Sequence, residues 1–237
     1  MSYTPTTPLP TSKLHKLDIE VLRNYRERHR DSIIKRLGEF GALKSEGRER
    51  IFCELCYCIL TPQSTGLICD RAVADLERRG VLRDPISRRM ELEEIVKKAR
   101  FWRKKSRYII KAWERFVSNE EHDIAYELSA RDKEFGDNRK LRNWLRRKMK
   151  GMGIGMKEAS HFLRNVGYGE GLAILDRHIM GCLNELGVLN EGDMILRSEK
   201  DYLRMEECMS DFSSISGLPL EELDLLFWSA KTGYIFK

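Results

Sequence analysis

Apolar positions along the chain recur with the period of a helix almost throughout. In DIEVLRNYRERHRDSIIKRLGEF, within Leu14 to Leu43, the residues Ile19, Leu22, Tyr25, Ile33, Ile34 and Leu37 fall near helical spacing. A second helix is predicted over Glu49 to Leu60, stopped by Thr61-Pro62, because proline has no N–H to donate and clashes with the preceding turn. Ser64 reads as the N-cap of a third, which runs through Arg79 and ends at Gly80. Further helices are predicted over 91–99, 104–118, 121–130, 138–150, 156–166, 177–187, 198–213 and 219–231. The two-residue alternation of a half-buried strand is hard to find, so the predicted class is all-α.

The charge is unevenly placed. The chain of 237 residues carries a formal +6. From Lys97 to Lys150 there are 18 Lys and Arg against 8 Asp and Glu, a local +10, so the remainder sums to 6 − 10 = −4. The densest part, NRKLRNWLRRKMK over 138–150, has seven bases and no acid. One-signed clustering repels itself unless it meets an anion, which points to a polyanion such as nucleic acid. The segment 198–237 has eight acids and four bases, and this split suggests two helical lobes with a cleft between them.

Hydrophobic residues at 41% and charged residues at 34% suit a soluble globular chain. No apolar run reaches the roughly 18 residues of a membrane helix. The opening MSYTPTTPLPTSK has three prolines and no apolar core of a signal peptide, so residues 1–13 read as a flexible lead-in. A cytoplasmic monomer is expected, nucleoid-associated in a prokaryote. Cys53 and Cys56 form a Cys-x2-Cys pair, but no second pair stands at zinc-ligand spacing. In IFCELCYCIL they read as small apolar residues of a buried helix.

The stretch GMGIGMKEAS, Gly151 to Ser160, places three glycines on alternate positions beside a lysine. A nucleotide-binding glycine loop would need a buried strand in front. A basic helix stands there instead, so the glycines are a turn between two helices. Without Cβ atoms at Gly151, Gly153 and Gly155, a phosphate can approach the backbone N–H groups and the positive end of the second helix.

GMGIGMKEAS resembles the helix-hairpin-helix of the base-excision DNA glycosylases, and LAILDRHI, Leu172 to Ile179, resembles the loop that supplies their catalytic aspartate. ILTPQST, over 59–65, and FWRKKSRYI, over 101–109, resemble the duplex-entering segment and the helix that follows it. The tail LLFWSAKTGYIFK ends in lysine, as in the archaeal-type 8-oxoguanine DNA glycosylase/AP lyases. The resemblance covers most of the chain from Glu49 onward. It implies one glycosylase fold over 14–237, with a basic middle over about 64–150, a hairpin and catalytic loop over 138–180, and a C-terminal lobe and tail over 181–237. Endonuclease III carries a four-cysteine iron–sulfur loop, where this chain has only Cys208, and the alkylated-base enzymes generally lack the hairpin lysine.

The resemblance implies that Lys157 is the nucleophile. A lysine amine attacks carbon only when neutral, and the first turn of a helix disfavours the ammonium. Asp176, before a predicted helix at Arg177, is by itself an N-cap; the resemblance adds the stabilisation of charge on the sugar and the handling of a proton. His178 is implied as a phosphate contact, Gln63 as the side chain inserted into the duplex, and Trp228, Phe101 and Lys237 as the groups that read the lesion base. Gln63 reads equally as a helix cap, and Trp102 could replace Phe101. The implied partner is double-stranded DNA containing 8-oxoguanine, with no required cofactor and a monovalent cation at the hairpin as the one ion relatives recruit. A non-catalytic hairpin module and a glycosylase for a different oxidised base are the alternatives.

Overall fold

The computed structural model describes residues 3–118 and 123–237. Among them are eleven α-helices and one pair of two-residue strands. The start of the helix predicted over 121–130 lies outside the described residues. The chain forms two compact units. One comprises 3–6 and Ala42–Tyr168, the other Thr7–Gly41 and Gly169–Lys237. The division cuts the expected 138–180 segment and assigns the first long helix to the C-terminal unit. No helix among the described residues is long and apolar enough to cross a membrane.

The first unit is built on α2 (Arg48–Leu60), where every residue from Ile51 to Leu60 is buried. From Ile51 on, the helix has no solvent face, and α2 packs against α3 (Gly66–Arg78), α5 (Trp102–Phe116), α6 (Ile124–Phe135) and α8 (Met156–Asn165). The buried Glu54 carboxylate is met by Arg50 at 2.9 Å and by Asn165 Nδ2 of α8 at 3.0 Å. Burial pushes the Cys53 and Cys56 thiols up and the Cys69 thiol up to about 11, which keeps them protonated. The described residues hold no cluster of three or more metal-ligating side chains.

The helix α4 (Arg89–Val96) lies between α3 and α5. Asp123 and Asp137 cap α6 and α7 (Asn138–Lys148) through two backbone N–H groups each, worth about 1 kcal/mol apiece. Of the seven bases in 138–150, Arg142 is buried and donates to Ser160 Oγ at 3.0 Å. It is part of the α7–α8 packing and not of the solvent face. Arg139, Lys140, Arg147, Lys148 and Lys150 are exposed, as are Arg103, Lys104, Arg107 and Lys111 on one side of α5.

The second unit packs α9 (Arg177–Glu185) and α10 (Glu199–Ser216) against α11 (Leu220–Thr232). The long α1 (Ile19–Ala42) joins them: Arg26 pairs in fork geometry with Glu222 at 2.6 and 2.8 Å, and Arg23 Nε donates to Ser216 O at 2.9 Å. The lead-in expected to be flexible is packed from residue 3. Tyr3 is buried and donates to the buried Asp70, and Thr6 N donates to Asp70 Oδ2 at 2.6 Å. Strand β1 (Leu9–Pro10) then pairs antiparallel with β2 (Tyr234–Ile235), Leu9 opposite Ile235 and Pro10 opposite Tyr234. Thr11 N→Gly233 O and Leu14 N→Ala230 O, both 2.8 Å, extend the attachment. Helical periodicity carries no signal for a two-residue ladder, which is why this went unpredicted.

Candidate active site

The candidate residues divide between the two units. In the first, α7 and α8 are joined by the glycine turn. Gly151 and Gly153 adopt φ of 80° and 79°, the left-handed region that costs an L-residue about 1–2 kcal/mol. Gly155, at φ −91°, is the extended N-cap of α8. Gly153 has a second constraint: a Cβ there would stand 2.7 Å from the Tyr108 ring of α5. Its bare backbone admits an aromatic ring, a use that the phosphate reading of the glycines does not include. The first turn of α8 presents N–H groups without intrahelical acceptors, as every helix start does.

Lys157 is the second residue of α8, about three-quarters buried, with Nζ 3.3 Å from Glu158 Oε1. The other oxygen of Glu158 accepts the Gly155 N–H at 3.2 Å. One carboxylate therefore ties the amine to the turn. The sequence reading passed over Glu158, although a glutamate three residues after an N-cap is a familiar helix-start signal.

Gln63 lies at the tip of the loop after α2. Ser64 N→Thr61 O at 2.9 Å closes a turn with Pro62 in its second position and Gln63 at φ 56° in its third, the signature of a type II turn. Gln63 is exposed. Ser64 is not the cap of α3. Thr65 precedes that helix with no side-chain cap bond, and Ser64 Oγ accepts from Arg100 N at 2.9 Å and from Lys105 Nζ at 3.0 Å. Phe101 follows Arg100 as the N-cap residue of α5, also left-handed at φ 59°, the residue 53% exposed and the Arg100 guanidinium 4.9 Å from its ring centroid. Trp102 is less exposed and faces Arg103.

In the second unit, Asp176 caps α9. Its Oδ1 accepts from His178 N at 2.8 Å and Ile179 N at 2.9 Å. The four residues before it, Leu172 to Leu175, are buried. Two residues one helical turn apart on α10 hold this segment. Glu206 Oε1 accepts the Ala173 N–H at 2.9 Å, while Tyr202 Oη donates to Ala173 O at 2.7 Å and accepts from Leu175 N at 3.3 Å. Neither residue stood out in the sequence, where α10 reads as an ordinary acidic helix.

The His178 and Trp228 rings meet edge to face at 6.4 Å, and Trp228 meets Tyr234 at 5.3 Å. Phe236 and Lys237 are buried beyond the β2 strand. The tail candidates are thus fixed to the body by the β1–β2 pair and not left to fray.

A helical chain with a glycine-rich hairpin, a lysine in the first turn beyond it and a capping aspartate on a clamped loop defines a DNA glycosylase of the helix-hairpin-helix class. The chain belongs to a family described as 8-oxoguanine DNA glycosylase, whose sequence profile matches residues 33–218. It is 39% identical over 224 residues to an 8-oxoguanine DNA glycosylase/AP lyase of Methanocaldococcus jannaschii, covering 92% of this chain and 97% of that one. A protein of the same description from Fusobacterium nucleatum is 37% identical over 207 residues, covering 86% and 90%. Among solved structures, the M. jannaschii enzyme in complex with a 15-mer DNA containing 8-oxoguanine superposes with a TM-score of 0.77 at 35% identity, covering 92% of this chain and 99% of that one. The 8-oxoguanine DNA glycosylase of Thermotoga maritima gives 0.76 at 30% identity, covering 92% and 98%.

Proposed function

We propose that the chain is a bifunctional base-excision enzyme that removes 8-oxoguanine from duplex DNA and then nicks the abasic site, acting as a monomer. The observation that carries the reading is the placement of Lys157. It stands in the first turn of the hairpin's second helix, largely shielded from water, in a chain that shares its fold and over a third of its sequence with glycosylase/AP lyases.

The exposed bases of α5 and α7, with the hairpin, hold the duplex by its phosphates, which positions it without reading sequence. The damaged nucleotide leaves the stack at a cost of a few kcal/mol, and Gln63 fills the gap. Phe101, Trp228 and Lys237 meet the extruded base, and His178 meets a neighbouring phosphate. 8-Oxoguanine differs from guanine by a hydrogen on N7 and an oxygen on C8, so selection requires an acceptor aimed at N7–H.

The neutral Lys157 amine attacks C1′ and the C1′–N9 bond breaks. The base departs with its electron pair and takes up a proton, and the sugar ring opens to leave an iminium between C1′ and Nζ. Asp176 stabilises positive charge on the sugar and accepts a proton from the attacking amine. Loss of a C2′ proton then expels the 3′ phosphate by β-elimination. The main-chain carbonyls of the glycine turn would hold a monovalent cation. With no carboxylate cluster among the described residues the donor set suits such an ion better than a divalent one, and no step here runs through it.

Borohydride trapping on a duplex with one 8-oxoguanine opposite cytosine tests the reading. Wild type is expected to give a covalent adduct and Lys157→Gln none. Salt-sensitive binding without an adduct in wild type would make the chain a non-catalytic hairpin module instead.

A further inference from the structure

Among the described residues, only two that are not glycine have positive φ: Gln63 and Phe101. Each costs free energy that surrounding structure must offset, and such outliers gather at functional sites. Here both converge on one group. The Lys105 side chain runs inward from α5, 4% exposed, although its neighbours Arg103, Lys104 and Arg107 face solvent. Its Nζ donates to Leu60 O at 2.6 Å, Pro62 O at 2.7 Å and Ser64 Oγ at 3.0 Å, which uses all three ammonium protons. Leu60 O belongs to the last turn of α2, where a cation meets the negative end of the helix. Ser64 Oγ in turn accepts Arg100 N, the amide just before Phe101.

We infer that Lys105 is a positioning residue: its ammonium holds the 60–64 loop in the shape from which Gln63 enters the duplex, and through Ser64 it fixes Phe101 at the start of α5. The inference rests on the reading of Gln63 as the inserted side chain. A pre-set loop spares the enzyme the ordering of five residues at the moment of base extrusion. The three acceptors are a spread of two carbonyls and a hydroxyl. A neutral amine has two hydrogens and an acceptor lone pair, so it leaves one of them without a donor.

Burial lowers the Lys105 amine to about 8, with Lys157 on α8 acting in the same direction and Glu158 on α8 against it. The lowered value means that the proton is bound more weakly in this site than in the unfolded chain, so the positioning role is read by substitution at fixed pH. Arginine at the position stays charged at every accessible pH and still donates to several acceptors.

The experiment is stopped-flow fluorescence with wild type, Lys105→Met, Lys105→Gln, Lys105→Arg and Gln63→Ala on a duplex with 2-aminopurine beside 8-oxoguanine. It reads the unstacking jump that precedes chemistry at neutral pH, with thermal unfolding as the control on folding. Lys105→Arg, which keeps the charge and several donors, is expected to unstack the duplex within a few-fold of wild type. Lys105→Met should slow unstacking at least about tenfold while binding undamaged duplex normally. If Lys105→Met unstacks like wild type while Gln63→Ala does not, the positioning role is overturned. If Gln63→Ala itself unstacks like wild type, the insertion reading fails first and the inference goes with it. If Lys105→Met does not fold, the decision falls to Lys105→Gln, which cannot supply three donors, and unstacking at the wild-type rate would overturn the inference.

Discussion

Glu206 accepts the Ala173 N–H at 2.9 Å, three residues ahead of Asp176, and so a carboxylate on α10 sets the path of the loop that presents another carboxylate. With Tyr202 bonding on both sides of the same peptide segment, the Asp176 loop is clamped from below. Tyr202→Phe would leave a buried carbonyl and a buried N–H without their partner, at about 1–3 kcal/mol. The expected outcome is a lower Tm with a larger loss in kcat than in DNA affinity, measured by single-turnover kinetics beside equilibrium binding. Equal losses in both would mean the clamp merely supports the fold.

Gly153 is held by two independent constraints, its left-handed backbone and the Tyr108 ring at 2.7 Å from where a Cβ would sit. Gly153→Ala should cost at least about 1–2 kcal/mol and weaken binding to any duplex alike. Adding Tyr108→Ala should relieve the collision but not the backbone strain, so recovery in a double-mutant cycle is partial. Full recovery would assign the glycine to ring packing alone.

The N-terminal segment should matter for selectivity. Because β1 pairs with β2 and Lys237 lies just beyond, removal of residues 2–13 frees the tail. The truncated chain is expected to bind undamaged duplex as before and to lose about tenfold in preference for 8-oxoguanine, a change of about 1.4 kcal/mol. Deletion of Lys237 should give the same loss, and the two together no more than either alone. Additive losses would separate the segment from the tail.

Alkaline pH should destabilise the fold. Burial raises the thiols of Cys69 to about 11 and Cys182 to about 12, and raises Tyr3 and Tyr57 above the ordinary tyrosine value. Each raised group adds stability that is complete below its unfolded pKa, near 8.5 for cysteine, and lost as pH climbs to the folded value. In that interval the unfolded chain binds fewer protons. Lys105, lowered to about 8, acts in the opposite sense up to the ordinary lysine value. With several groups against one, Tm is expected to hold to about pH 8.5 and then fall, Cys69 alone contributing roughly 3 kcal/mol by pH 11. A Tm that rises over that range would contradict the assignment.

The helices were legible because their apolar spacing is local, and Pro62 and Gly80 mark their stops in the chain itself. The hairpin and the LAILD segment were legible because glycine on alternate positions and aspartate before a helix are local signals too. What escaped notice depends on residues distant in sequence. Lys105 looks like any other base of FWRKKSRYI until its amine is seen across 41 to 45 positions at Ser64 and Leu60. Ser64 carries the composition of an N-cap but serves α5 instead. Tyr202 and Glu206 sit on an unremarkable helix, and α1 gives no hint in its pattern that Glu222 is its counterpart.

That last pairing has a consequence for how the chain is made. The second unit takes α1 from the start of the sequence and α9 to α11 from its end, with the first unit produced in between. On a ribosome α1 emerges nearly two hundred residues before Glu222, so its Leu22, Tyr25 and Ile33 face must wait uncovered while 42–168 fold. Its charged side chains, ten of the 24 residues being Lys, Arg, Asp or Glu, are what keep that long wait soluble.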